Sequence, residues 1–242
     1  MKISIKIAIK ISKLMLLVLA LPASGVWAQD SEKPDFSGLY MPTADFSRMI
    51  MFPMMGPPYT EWAENLVNDF NSKFDAIEDQ PGSHCVPPGM PNAMAFPAPF
   101  PMEIIQREND ITLFFEAHSQ YRKIYIEGYE RPEPVLASRM GYSVGHWEGD
   151  TLVVKTTYLK EETLGSTIIS DEGEITERIT LEIDANGVRR LVDDIVYSDP
   201  KAYSTDIVMR GVWDSSPGTP IMEYVCGEYL YENYLQSKLS EE

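Results

Sequence analysis

Cysteine and histidine are scarce in this chain, with two and three residues in 242, and that scarcity removes several chemistries at once. A small disulfide-framework fold needs several bridges, and a structural zinc site needs four clustered thiolate or imidazole ligands. Cys85 and Cys226 with His84, His118 and His146 supply neither, and the histidines lack the i, i+4 or two-to-four-residue spacings that mark metal sites. No metal or other cofactor is expected. Basic residues are also few: 20 Lys and Arg stand against 37 Asp and Glu, a formal charge of -17. Such a surface repels nucleic-acid phosphates and anionic headgroups, favours neutral or cationic partners, and aids solubility. Long apolar runs are missing too. The run at 14–21 is shorter than the ~20 residues that span a bilayer, so stable membrane insertion is not expected.

What is present begins with Met1 to Ala28: four lysines, that apolar run, then Val26-Trp27-Ala28 before Gln29. This is the layout of a secretory signal peptide cleaved after Ala28, the alternative being an uncleaved anchor. Cleavage removes four lysines and no acid, so the charge moves from -17 to -21. An exported chain is periplasmic or secreted, where an oxidising milieu favours a Cys85–Cys226 disulfide over two free thiols. Residues 29–242 are enough for one well-cored domain and few for two.

Within it, 61–76 places Trp62, Leu66, Phe70 and Phe74 four residues apart behind Thr60, which predicts an N-terminal amphipathic helix. Seven prolines between 81 and 101 predict an extended, clamped segment, since a free linker would expose Met90, Met94, Phe96 and Phe100. Strands are expected at 102–107, 111–117, 120–126, 142–147, 151–158, 174–183, 188–197, 205–213 and 221–230. Asn109-Asp110, Gly149-Asp150 and Asn186-Gly187 supply hairpin turns. The domain therefore divides into 29–101 (helix and Pro/Met-rich segment), 102–230 (strand meander) and 231–242 (acidic tail). The fold expected is mainly β: an antiparallel up-and-down, lipocalin- or calycin-like barrel, or a strongly curved sheet, with one N-terminal helix.

Gly141-Tyr142-Ser143-Val144-Gly145 spells the G-x-S-x-G elbow of serine hydrolases. An elbow needs a helix directly after the serine. Here His146-Trp147 leads into a Glu148-Gly149-Asp150 turn and the β-branched Val153-Val154, so the motif belongs to a hairpin. Taken with Cys85-Val86-Pro87-Pro88-Gly89-Met90-Pro91, Tyr121-Arg122-Lys123-Ile124-Tyr125-Ile126-Glu127-Gly128 and Glu223-Tyr224-Val225-Cys226, it resembles a group of uncharacterised exported bacterial proteins. The resemblance covers nearly all of the chain after Ala28. It implies export, one domain and the Cys85–Cys226 link, and names no reaction. Members often carry histidine where this chain has Tyr142 and again near Glu130-Arg131-Pro132. Gly38-Leu39-Tyr40 is similar to the G-x-W opening of lipocalin-like barrels, with Tyr for Trp.

Alternation along 174–183 puts Glu177 on the apolar face with Ile175, Ile179 and Leu181, and along 120–126 puts Arg122 with Ile124 and Ile126. A buried arginine requires an anion, so the two are expected to pair, either as an interior salt bridge or within a ligand site. Glu177, Arg122, His118 and His146 are the candidate catalytic groups. Tyr121, Tyr125, Tyr142, Trp147, Tyr224, Met54 and Met94 are the candidate ligand contacts. The function expected is binding of a small apolar or aromatic molecule in the barrel mouth. An enzyme acting on such a ligand through Glu177 and Arg122 is the alternative, and turnover and oligomeric state stay open. The methionines at 41, 49, 51, 54, 55, 90, 94 and 102 suit an apolar lid or core, with cuprous-ion handling as a third reading.

Overall fold

The computed structural model describes residues 33–43, 50–51, 56–96, 99–129, 135–163 and 168–240. Ten strands occur among the described residues: β1 (Gly38–Pro42), β2 (Ile50–Met51), β3 (Met102–Gln106), β4 (Asp110–Phe115), β5 (Gln120–Ile126), β6 (Tyr142–Glu148), β7 (Thr151–Thr157), β8 (Glu174–Ile183), β9 (Arg189–Ser198) and β10 (Ile207–Ser215). Strand order is β1-β3-β4-β5-β6-β7-β8-β9-β10, with β2 appended to β10. Because β1 also pairs with β10, at Tyr40–Ser215 and Pro42–Trp213, nine strands close into a barrel. The mainly β barrel expected from the sequence is therefore present.

One pairing departs from the antiparallel expectation. β5 and β6 run parallel, Ile124 opposite Ser143. Parity explains this. Strands that alternate in direction around a ring can close only if their number is even, so a nine-strand ring must contain a parallel neighbour.

Among the described residues, three α-helices accompany the barrel. α1 (Glu61–Lys73) starts where expected, with Thr60 Oγ1 accepting from the Ala63 N–H and donating to the Lys201 carbonyl at 2.6 Å. It buries Ala63 and Phe70, and ends before Phe74, which is exposed. α2 (Asn92–Ala95) and a single 3₁₀ turn, Pro81–His84, replace the fully extended proline segment that was expected. Prolines precede or open both, where their missing N–H costs nothing. Met90 and Met94 are fully buried there, as a clamped segment requires. α2 packs against β9 and β10. Its close approach depends on Gly211, since a Cβ at that position would lie 2.3 Å from the Met94 carbonyl oxygen.

α3 (Gly227–Ser240) corrects two expectations, the strand at 221–230 and the tail from 231. β1 and β2 already occupy the outer edge of β10, so none remains there for another strand. The chain instead crosses the barrel end at 221–226, where Cys226 is disulfide-bonded to Cys85 with 5.8 Å between Cα atoms. Glu, Leu, Gln and Lys then favour a helix.

Candidate functional site

Two sites emerge from this frame, one inside the barrel and one at its end. Inside, Arg122 of β5 and Glu177 of β8 meet as the alternation requires, 1% and 0% exposed. Arg122 Nη1 donates to Glu177 Oε1 at 2.7 Å and Nη2 donates to Oε2, a bidentate pair. Two further guanidinium donors go to hydroxyls: Nε to Ser143 Oγ at 3.0 Å and Nη2 to Thr156 Oγ1 at 2.9 Å. Ser143 and Thr156 also bond each other at 2.8 Å. The G-x-S-x-G serine is thus a buried β6 residue engaged by an arginine, followed by strand and turn rather than helix. Its Gly145 points inward where a Cβ would touch Ile124 and Leu152 at 3.1 Å.

Asp193 of β9 joins this interior with 0% exposure, and the sequence reading missed it. The signal existed: Leu191, Ile195 and Tyr197 are buried on the same face of β9. Burial, then the negative charge of Glu177, pushes the Asp193 carboxyl well above its ordinary pKa, with Arg122 acting the other way.

At the end where β4 turns into β5, Pro88, Ala93, Phe96, Phe100, Pro101, Phe115, Ala117, His118, Gln120 and Trp213 line an apolar pocket. The space open to the centre of a water molecule is about 70 Å³. One water needs about 10–15 Å³ on that measure, so there is room for roughly five waters or one small ring. His118 and Gln120 are the polar groups in the wall. His118 sits in left-handed backbone at φ 56°, followed by Ser119 at φ 49°, conformations that non-glycine residues seldom adopt. Desolvation lowers the His118 pKa, and a hydrogen bond with the Cys85 backbone acts in the opposite direction. The segment before Cys226 roofs this end: Tyr224 lies 4.7 Å from the His118 ring and 5.3 Å from Phe100, and Glu116 accepts from the Met222 N–H at 2.7 Å.

The other expected residues scatter. Tyr121 is 69% exposed on the barrel exterior, and Tyr125 stacks outside with Tyr129 and Tyr142 at 5.2 and 5.3 Å. These three predicted contacts therefore face away from the interior, as alternation from Arg122 and Ser143 dictates. His146 also points outward, 3.3 Å from Glu148, remote in facing from Glu177. Trp147 packs on Phe36 at 5.2 Å at the opposite end, beside a polar recess of about 390 Å³ bordered by Lys33, Asp35, Gln106, Arg107 and Glu108. Met94 is core, its carbonyl accepting from Trp213 Nε1 at 3.3 Å. Met54 lies outside the described residues, as do Met49 and Met55. No cluster of three metal-binding side chains occurs among the described residues.

No protein-family model matches this sequence, and no curated protein does. Among solved structures, the chain is similar to the crystal structure of the fluorescent protein UnaG, with 14% identity and a TM-score of 0.36 over 75% of this chain and 97% of that one.

Proposed function

We propose that this is an exported protein, one of the group its motifs resemble, that binds a small apolar or aromatic molecule in the mouth of its barrel. The observation that carries this reading is the pocket between Phe96, Phe100, Phe115 and Trp213, whose apolar walls hold two polar groups, His118 and Gln120. Such a lining takes up an apolar body by burial and orients it through one or two hydrogen bonds. The Cys85–Cys226 bond fits an oxidising compartment, and among the described residues no helix is long and apolar enough to cross a membrane. Chemistry at Glu177 has less support, because both its oxygens are held by Arg122 behind a fully buried wall.

The test is titration of the purified protein with benzene, toluene and p-cresol by ligand-observed NMR, alongside native mass spectrometry of protein taken from its producing cell. Saturable binding that disappears in Ala117→Phe, a substitution that fills the pocket from its half-exposed edge, is the expected result. Binding unchanged in that variant, or none in either protein, overturns the reading.

A further inference from the structure

The face of β9 that turns Leu191, Ile195 and Tyr197 into the barrel also turns Asp193 inward, and neither Asp193 oxygen has a hydrogen-bond partner among the described residues. The other buried carboxylates do have partners. Glu177 has Arg122, Asp199 accepts from Ser170, Tyr197 and Ala202, and Glu116 accepts from Met222. A bare carboxylate in this position would be strongly destabilised.

The surroundings of Asp193 restrict what can satisfy it. On β8, Glu177 lies opposite Ile195 while Asp193 lies opposite Ile179, so the two acids are diagonal neighbours on one inward face, a spacing that side chains bridge. On β5, Arg122 is the only cation aimed at the group among the described residues, and four of its five N–H donors already go to Glu177, Ser143 and Thr156. β10 offers Gly211, which has no side chain, and α2, packed on β9 and β10, carries no ionisable residue. Asp194 is the next acid on β9, and it is paired on the outer face with Arg210 at 2.6 Å. Ionising Asp193 would set two carboxylates against one guanidinium.

We infer that Asp193 and Glu177 bind one proton between them, with Asp193 held as a neutral acid whose O–H donates to the Glu177 carboxylate, so that the barrel interior is a proton-binding site. One proton then gives the orphaned carboxyl a bond to Glu177 through one oxygen, leaves Glu177 its bidentate arginine, and makes the cluster electrically neutral. The direction of the Asp193 pKa agrees with this geometry. Because the unfolded chain releases this proton above about pH 4, whereas the fold retains it, raising the pH weakens folding through this group.

The experiment compares urea unfolding of the disulfide-intact wild type and Asp193→Asn from pH 4 to 8. In the variant an amide N–H donates where the acid proton did. The difference between the two is expected to grow in the variant's favour by up to about tenfold in folding constant per pH unit, until the folded protein gives up its proton. Infrared spectra of the wild type at pH 7 should contain a protonated-carboxyl band that is lost in Asp193→Asn. It should also be lost in Glu177→Gln, where Asp193 ionises to balance Arg122. A difference curve that stays flat, or the absence of the band from the wild type, overturns the inference.

Discussion

Replacing Arg122 with methionine tests whether the interior pair holds the barrel together. The substitution keeps an unbranched chain in a fully buried slot but removes the donors that Glu177, Ser143 and Thr156 share. The two hydroxyls still bond each other, so most of the cost falls on Glu177, left charged and buried without its cation. Breaking a buried pair from one side costs about 3–5 kcal/mol. Domain stabilities are about 5–15 kcal/mol, and at this chain length each kcal/mol lowers the melting temperature by about 2–4 °C, so a drop of about 6–20 °C is expected. The double variant Arg122→Met/Glu177→Leu removes both charges and should regain part of that loss, because two apolar chains need no partner while Asp193 loses its Glu177 acceptor. Urea and thermal unfolding followed by circular dichroism, with the disulfide intact, measure all four corners of the cycle. A single variant that melts within about 2 °C of wild type, or a double variant as unstable as the sum of its singles, refutes the reasoning.

Ser143→Ala should cost about 1–3 kcal/mol in urea unfolding by orphaning Arg122 Nε, and a fluorophosphonate should leave the native wild-type serine unlabelled in intact-mass spectra. In Gly211→Ala a methyl group meets the Met94 carbonyl oxygen, so α2 must lift; a loss of about 1–3 kcal/mol and weaker ring binding beside Ala93 are expected from melting and NMR titration. Burial lowers the His118 pKa, so on acidification the unfolded imidazole takes up a proton first, near pH 6.5, while the folded one resists. Stability from this group is therefore full above that pH and lost as pH falls through the window, and Tyr224 packing should loosen with it. Imidazole NMR that shows His118 titrating above about 6.5 contradicts this.

Strand alternation made the Arg122–Glu177 pair legible in the sequence, because a charge among Ile175, Ile179 and Leu181 has one face to occupy. The same rule reaches Asp193, but the Asp193-Asp194 doublet reads as solvated surface unless its phase is taken from Leu191 and Ile195. It also assigns Tyr121 and Tyr125 to the exterior, and they were expected at the ligand through their chemistry instead of their phase. The mouth pocket was legible only in part: Phe96 and Phe100 belong to the clamped segment and His118 was a candidate, but Trp213 reaches them from β10. Pro88, Phe115 and Trp213 lie far apart in sequence, and barrel closure brings them together. The parallel β5–β6 pair was hidden for a related reason: parity belongs to the whole ring, and no turn motif records it.

Closure of the ring sets an order of events for a chain that is made from its N-terminus. β1 has β3 on one side early, but its other partner, β10, emerges only after nearly all the rest of the sequence. Until Ser215 is available the nascent sheet is an open ribbon with two bare edges, and open edges recruit other strands. Truncation before β10 should therefore yield an adhesive, aggregating species rather than a smaller barrel. The barrel is sealed only when the last strand pairs with the first.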